Sequence, residues 1–328
     1  MADLDVVGIG NALVDVLSQE SDAFLATQGL TKGAMQLVDE GRARELYAAM
    51  GPAVEVSGGS AANTIVGVAS FGGRAHYIGK VRDDQLGDVF SHDLRAVGVG
   101  YTTSPTTSGP ATGRCLIVVT PDAQRTLTTY LGASVQLGPA DVDKHLIESA
   151  AIVYLEGYLF DPPEAQRGFQ AAAAIAHAAG RRVALTLSDP FCVGRHRAAF
   201  RELVERHVDI LFANEAEIRA LYEAPDFEAA REQVRHHCAV AALTRSERGS
   251  VVVAGAEAFV IEPHRHGAVV DTTGAGDLYA AGFLFGLSRG RDLATCGRLG
   301  SLAAAEVISH VGARPLVPLA RLAAEAAA

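Results

Sequence analysis

Short runs of consecutive apolar residues, spaced by helix-like segments, constrain this chain more than any other feature. Val6–Ile9, His76–Val81, Ile152–Leu155, Val183–Leu187, Ile210–Phe212 and Ala239–Leu243 are such runs. A strand that is apolar on successive residues, rather than on alternate ones, must bury both faces, as strands do in a parallel sheet covered by helices. The intervening segments carry helix stops. Ser60–Phe71 ends at Gly72-Gly73, Gln85–Val97 ends at Gly98, and Pro162-Pro163 opens a helix that runs to Gly180. The pattern predicts a doubly wound, mostly parallel α/β sheet flanked by helices.

Two stretches break the alternation. Thr112–Thr120 and Arg125–Leu131 are β-rich runs around the turn tetrapeptide Pro121–Gln124, a hairpin pattern. Met35–Val38 and Val54–Ser57 are short strand candidates around a helix at Asp39–Met50. These pieces are expected to form a small β-rich lid over the sheet edge. The corresponding division is 1–12, 61–105 and 131–328 for a large nucleotide-binding domain, with 13–60 and 106–130 as lid and acceptor-binding subdomain. The alanine-rich Leu319–Ala328 reads as a terminal helix.

Composition narrows the partners. The chain has 328 residues, 49% apolar and 20% charged, with a net charge of −10. That balance rules out intrinsic disorder and disfavours nucleic acid or an anionic membrane as a partner. Cys115, Cys192, Cys238 and Cys296 make no metal or disulfide spacing, which fits a reducing compartment. With no basic start and no apolar stretch of membrane length, the expectation is a cytoplasmic protein that binds small molecules.

The lysines exclude one phosphate-binding device. Lys32, Lys80 and Lys144 all lack the context of a GxxxxGK[ST] loop, so any nucleotide phosphate must be held otherwise. The run Asp271-Thr272-Thr273-Gly274-Ala275-Gly276-Asp277, followed by apolar Leu278–Leu287, offers such a means. Gly274, Ala275 and Gly276 present bare amides at the positive end of a helix. Asp277 falls in its first turn, where the dipole is expected to keep the carboxylate ionised. An ionised acceptor beside an anion hole suits phosphoryl transfer to a hydroxyl.

Three further constellations stand at predicted strand-to-helix junctions. In Gly58-Gly59-Ser60-Ala61-Ala62-Asn63 the glycines let a ligand approach the backbone, and Asn63 can offer both donor and acceptor to a hydroxyl. After the first strand, Gly8–Asp15 places Leu13 where a GxGxxG fingerprint needs glycine, which weakens a dinucleotide reading and an oxidoreductase with it. Asn11 and Asp15 are instead expected at a strand's carboxyl end, where a carboxylate accepts two bonds from a vicinal diol. Asn214-Glu215-Ala216-Glu217 could hold a hydrated Mg²⁺ or simply cap a helix. His236-His237 and His264-Arg265-His266 read as solvated loop residues.

With these elements in this order, the sequence resembles the PfkB (ribokinase-like) family of sugar and nucleoside kinases. The strings GGSAAN and DTTGAGD look like its two signatures. The resemblance spans essentially the whole chain and is nearest to the family's adenosine kinases, through Gly10–Asp15, Thr112–Cys115, Thr186–Phe191 and Val208–Glu217. It implies ATP as donor, Mg²⁺, and a nucleoside 5′-hydroxyl as acceptor, with a free sugar, inosine or guanosine as alternatives. It further implies Asp277 as base, Gly274–Gly276 as anion hole, and Arg125 on the lid reaching the transferring phosphate. Asn11, Asp15, Gly59 and Asn63 would bind ribose hydroxyls, with Gly58 beside them. Leu13, Met35, Cys115 and Leu159 would surround the base, Leu159 standing where the family has an aromatic residue. Asn214 and Glu217 match the Mg²⁺-linked NxxE motif. Thr244, Gly249, Gly312 and Ala313 fall where the family contacts the nucleotide. A monovalent cation near Asp271 is a further family feature, and a lid long enough to cover the site favours a monomer.

Overall fold

Val6 and Val7 are both fully buried, yet they enter hydrophobic cores on opposite sides of one sheet. The same split separates Ile152 and Tyr154 from Val153 and Leu155. Successive strand residues point to opposite faces, so these unbroken apolar runs need cover on both. The computed structural model describes residues 2–122 and 124–326. Met1, Ala123 of the turn tetrapeptide, and Ala327 and Ala328 at the end of the expected terminal helix therefore lie outside the described residues.

In chain order the strands are β1 (Leu4–Ile9), β2 (Leu13–Gln19), β3 (Met35–Leu37), β4 (Ala53–Gly58), β5 (Ala75–Ile78), β6 (Gly100–Tyr101) and β7 (Gly113–Val119). They continue as β8 (Arg125–Tyr130), β9 (Ala150–Glu156), β10 (Arg182–Thr186), β11 (Ile210–Asn214), β12 (Val240–Thr244), β13 (Ser250–Ala254) and β14 (Glu257–Ile261). A nine-stranded sheet runs β14-β13-β12-β11-β10-β9-β1-β5-β6. It is parallel from β12 to β6, and only β13 and β14 are antiparallel. The fold is the α/β, mostly parallel sheet flanked by helices that the sequence predicts. The β13–β14 hairpin is an addition to the expected strands. The run at His76–Val81 is shorter than expected, because Gly79 offers its carbonyl to the Tyr101 hydroxyl and Lys80 turns away to pair with Asp141.

A five-stranded sheet in the order β3-β8-β7-β2-β4 forms the lid. The expected hairpin is there as antiparallel β7 and β8, with Val119 opposite Arg125. Asp15 departs from expectation: it projects from within lid strand β2, whereas only Asn11 sits just beyond the carboxyl end of β1. No helix among the described residues is long and apolar enough to cross a membrane.

Candidate active site

The carboxyl ends of β1 and β9 to β12 open into one cleft of about 1280 Å³ beneath the lid. Ligand pockets for single small molecules are commonly ~300–1,000 Å³. This cleft exceeds that range.

At its centre the helix Ala275–Ser288 starts from Gly274, its N-cap. The Ala275 amide donates to the Thr272 carbonyl at 3.3 Å, so it is engaged in the turn rather than free as the sequence suggests. The amides of Gly274, Gly276 and Asp277 have no protein partner among the described residues, and these residues line the cleft. Asp277 Oδ1 accepts from Ser60 Oγ at 2.6 Å, and Oδ2 accepts from Asn63 Nδ2 at 3.0 Å. Burial holds the Asp277 carboxyl above the ordinary carboxylate range, against the lowering effect of those two bonds and of nearby Arg314. The helix dipole alone therefore does not keep this group as acidic as a surface aspartate.

Asn63 is not free to give both donor and acceptor to a ligand, because its Oδ1 takes a 2.7 Å bond from Arg314 Nε. Asn11 is similarly committed. Its Nδ2 donates to Glu156 Oε1 at 2.7 Å and its Oδ1 accepts from Ser134 Oγ at 2.9 Å. Glu156 also accepts from the Asn11 and Ala61 amides. Desolvation raises it to about 7.

Strand register builds the acceptor side. Asp15 lies beside Cys115, which faces Thr129, which in turn pairs with Leu37. The same face carries Leu13, Met35, Ile117 and Leu127 toward the cleft. Met35 and Leu37 are 47% and 50% exposed, an apolar wall awaiting cover. Asp15 makes no hydrogen bond to another described residue, and burial raises its carboxyl to about 6. Gly58 lies against the Asp15 carboxylate, where any side chain would collide with it. Gly59 has φ +97° and packs on the Asn11 carbonyl, so only glycine fits the turn into the helix Ser60–Ser70.

Leu159 is a correction. The short 3₁₀ turn Gly157–Phe160 sends it into the core at 0% exposure, and Tyr158 faces the cleft in its place.

Arg125 does not line the cleft. It is buried with its Nη2 at 2.9 Å from Asp271 Oδ2, off line for a hydrogen bond, so that contact is an ion pair and Nη2 has no hydrogen-bond partner among the described residues. The Asp271 carboxylate also takes Thr273 N and Oγ1 on Oδ1 and Gly312 N on Oδ2. Gly312 thus supports the loop from behind, while Ala313 lines the cleft. Among the described residues Asp271 has a positive partner in Arg125.

On the opposite side stand Asn214, Thr244, Gly249 and Ala304. Asn214 and Glu217 form a capping box, each carboxylate oxygen accepting from Asn214, and burial raises Glu217 to about 7. His264-Arg265-His266 is an exposed loop, as expected, but it borders the cleft here. Arg314 and Glu156 were missed by the sequence reading. An acidic residue ending an otherwise apolar strand run was the available signal for Glu156.

The model of the pfkB family carbohydrate kinases matches residues 24–320. The adenosine kinase of Saccharomyces cerevisiae is 28% identical, over 94% of this chain and 95% of its own. The solved adenosine kinase from Sinorhizobium meliloti is 55% identical with a TM-score of 0.93, covering 100% of both chains. A probable sugar kinase from Rhizobium etli is 49% identical with a TM-score of 0.94, over 100% of this chain and 99% of that one. The cleft, its glycine-bounded helix start and these likenesses agree: the chain belongs to the pfkB family of carbohydrate kinases.

Proposed function

We propose that this kinase transfers the γ-phosphate of ATP to the 5′-hydroxyl of a ribonucleoside, adenosine being the acceptor the site suits best. The observation that carries the reading is the placing of Asp15, an unpartnered carboxylate, between the Asp277 centre and the apolar lid wall. A diol on Asp15 would leave a ring substituent lying on Met35, Leu37 and Leu127. A free sugar has no apolar part to cover that wall, whereas a purine does. The adenosine kinase names of the yeast and Sinorhizobium relatives support the same choice.

In the proposed step the acceptor oxygen bonds to the γ-phosphorus as its proton passes to an Asp277 oxygen, and the bond to the β-phosphate oxygen breaks to release ADP. The Gly274, Gly276 and Asp277 amides stabilise charge on the transferring group. Arg125, whose Nη2 makes no hydrogen bond, is the lid group assigned to that phosphate, and it would have to leave its buried place beside Asp271 as the lid moves. Thr244, Gly249, Ala313 and Asn214 would border the nucleotide. Mg²⁺ commonly uses only one or two protein carboxylates and keeps its waters. Glu217 fits that use, since each of its oxygens keeps a lone pair beyond its bond from Asn214. When bound, the ion would offset phosphate charge.

Residues 13–60 and 106–130 act as the lid and acceptor subdomain, and closure excludes water from the transfer. One chain supplies both lid and cleft, which supports a monomer, and four unpaired buried cysteines support a reducing, cytoplasmic setting. ADP release measured over adenosine, inosine, guanosine, cytidine and free ribose tests the assignment. Adenosine should give the highest kcat/KM; a free sugar exceeding it would overturn the acceptor but not the chemistry.

A further inference from the structure

Arg314 sits on the C-terminal loop next to Ala313, which lines the cleft, and its guanidinium reaches past the lining into the polar network behind it. Nε donates to Asn63 Oδ1 at 2.7 Å, and Nη2 donates to the Ser57 carbonyl at 2.8 Å and to Ser57 Oγ at 3.3 Å. Ser57 belongs to lid strand β4 and Asn63 to the helix that follows it. An arginine has no acceptor, so whatever it touches on Asn63 must be the oxygen. The amide is thereby fixed with Nδ2 turned toward Asp277 Oδ2.

We propose that Arg314 is a positioning residue for phosphoryl transfer: it orients the Asn63 amide, and through it holds the Asp277 carboxylate aimed at the acceptor hydroxyl. The consequence for the ligand is directional. Asn63 can only donate to the acceptor, and Asp15 can only accept while ionised, so a hydroxyl between them must run its hydrogen bonds from Asn63 toward Asp15. Without the arginine, the amide is free to flip and offer its oxygen to a carboxylate, a repulsive arrangement.

The charges around this network are named easily. Arg314 faces Asp15, Asp93, Asp277 and the Tyr77 hydroxyl. Asp277 shares its surroundings with the carboxylates of Asp15, Glu156 and Glu217 and the phenols of Tyr154 and Tyr158. Arg314 is the cation that acts on Asp277 directly.

The inference rests on Asp277 being the base, so Asp277→Asn belongs in the same series. Arg314→Met should lower kcat about tenfold or more, as loss of orientation at a reacting group does, and should move the acid limb of the kcat–pH profile upward. Arg314→Lys keeps the charge but not the fork. It should restore the position of the acid limb while recovering only part of kcat. In an Asn63→Leu background, Arg314→Met should cost little further turnover, because the group it acts through is gone. Equal loss of kcat in both backgrounds with an unmoved acid limb, in proteins shown folded by thermal unfolding, would overturn the positioning role. Retained turnover in Asp277→Asn would instead overturn the base assignment beneath it.

Discussion

Arg125 on lid strand β8 lies 2.9 Å from Asp271, the residue that holds the Thr273 and Gly312 amides just before and behind the helix start at Gly274. Their side chains are only 7% and 8% exposed. The lid is thus tied by a buried charge pair to the loop that leads into the helix Ala275–Ser288. Removing one partner of such a pair strands the other charge, at a cost of about 3–5 kcal/mol. Arg125→Met should lose stability on that scale in urea unfolding. The double variant Arg125→Met/Asp271→Asn should lose less than the two single losses added together. Strict additivity would show that the two residues are not coupled.

Asp15 is raised to about 6 by burial, so it carries its charge above that pH and loses it below. A neutral carboxyl accepts poorly from a diol. The acceptor's kcat/KM should therefore fall as pH drops through about 6, with ATP saturating. Asp15→Asn should lower kcat/KM by about 100-fold or more, two hydrogen bonds to a charged group being worth ~3–6 kcal/mol. It should also erase this limb of the profile. A 2′,3′-dideoxynucleoside should show almost no difference between wild type and variant.

Glu156 gives a stability signature with a definite sign. Its folded value is raised to about 7 from the ordinary 4.5. Between those values the native state keeps a proton that the unfolded chain has lost, so its contribution is full below pH 4.5 and is lost as pH rises to about 7. Glu156→Gln is neutral throughout. The stability of wild type relative to this variant should thus fall across the window, measured by urea unfolding at several pH values. A pH-independent difference would place the titration elsewhere.

Much of this was readable from the residues. Unbroken apolar runs announced a sheet with two covered faces, and the glycine strings at Gly58–Asn63 and Gly274–Asp277 announced the two helix starts that meet at Asp277. What stayed hidden depended on tertiary direction. Arg314 bonds a residue 251 positions away, and nothing near it in sequence marks that choice. Leu159 enters the core and Tyr158 the cleft because a 3₁₀ turn, rather than a continued strand, follows β9. Asn11 and Asn63 looked like versatile ligands for hydroxyls, and neighbours at long range use up part of each amide. The loop at His264–His266 reads as solvated and is so, yet the β13–β14 hairpin brings it to the cleft.

Turnover of Asp277→Asn measures the central claim most directly. The asparagine keeps the shape and can still bond Ser60, but it cannot take the hydroxyl proton. Loss of a positioned general base costs on the order of 10²–10⁴ in rate, so kcat for ADP formation with adenosine should fall by that much while acceptor affinity changes little. A variant that phosphorylates adenosine at close to the wild-type rate would contradict the account.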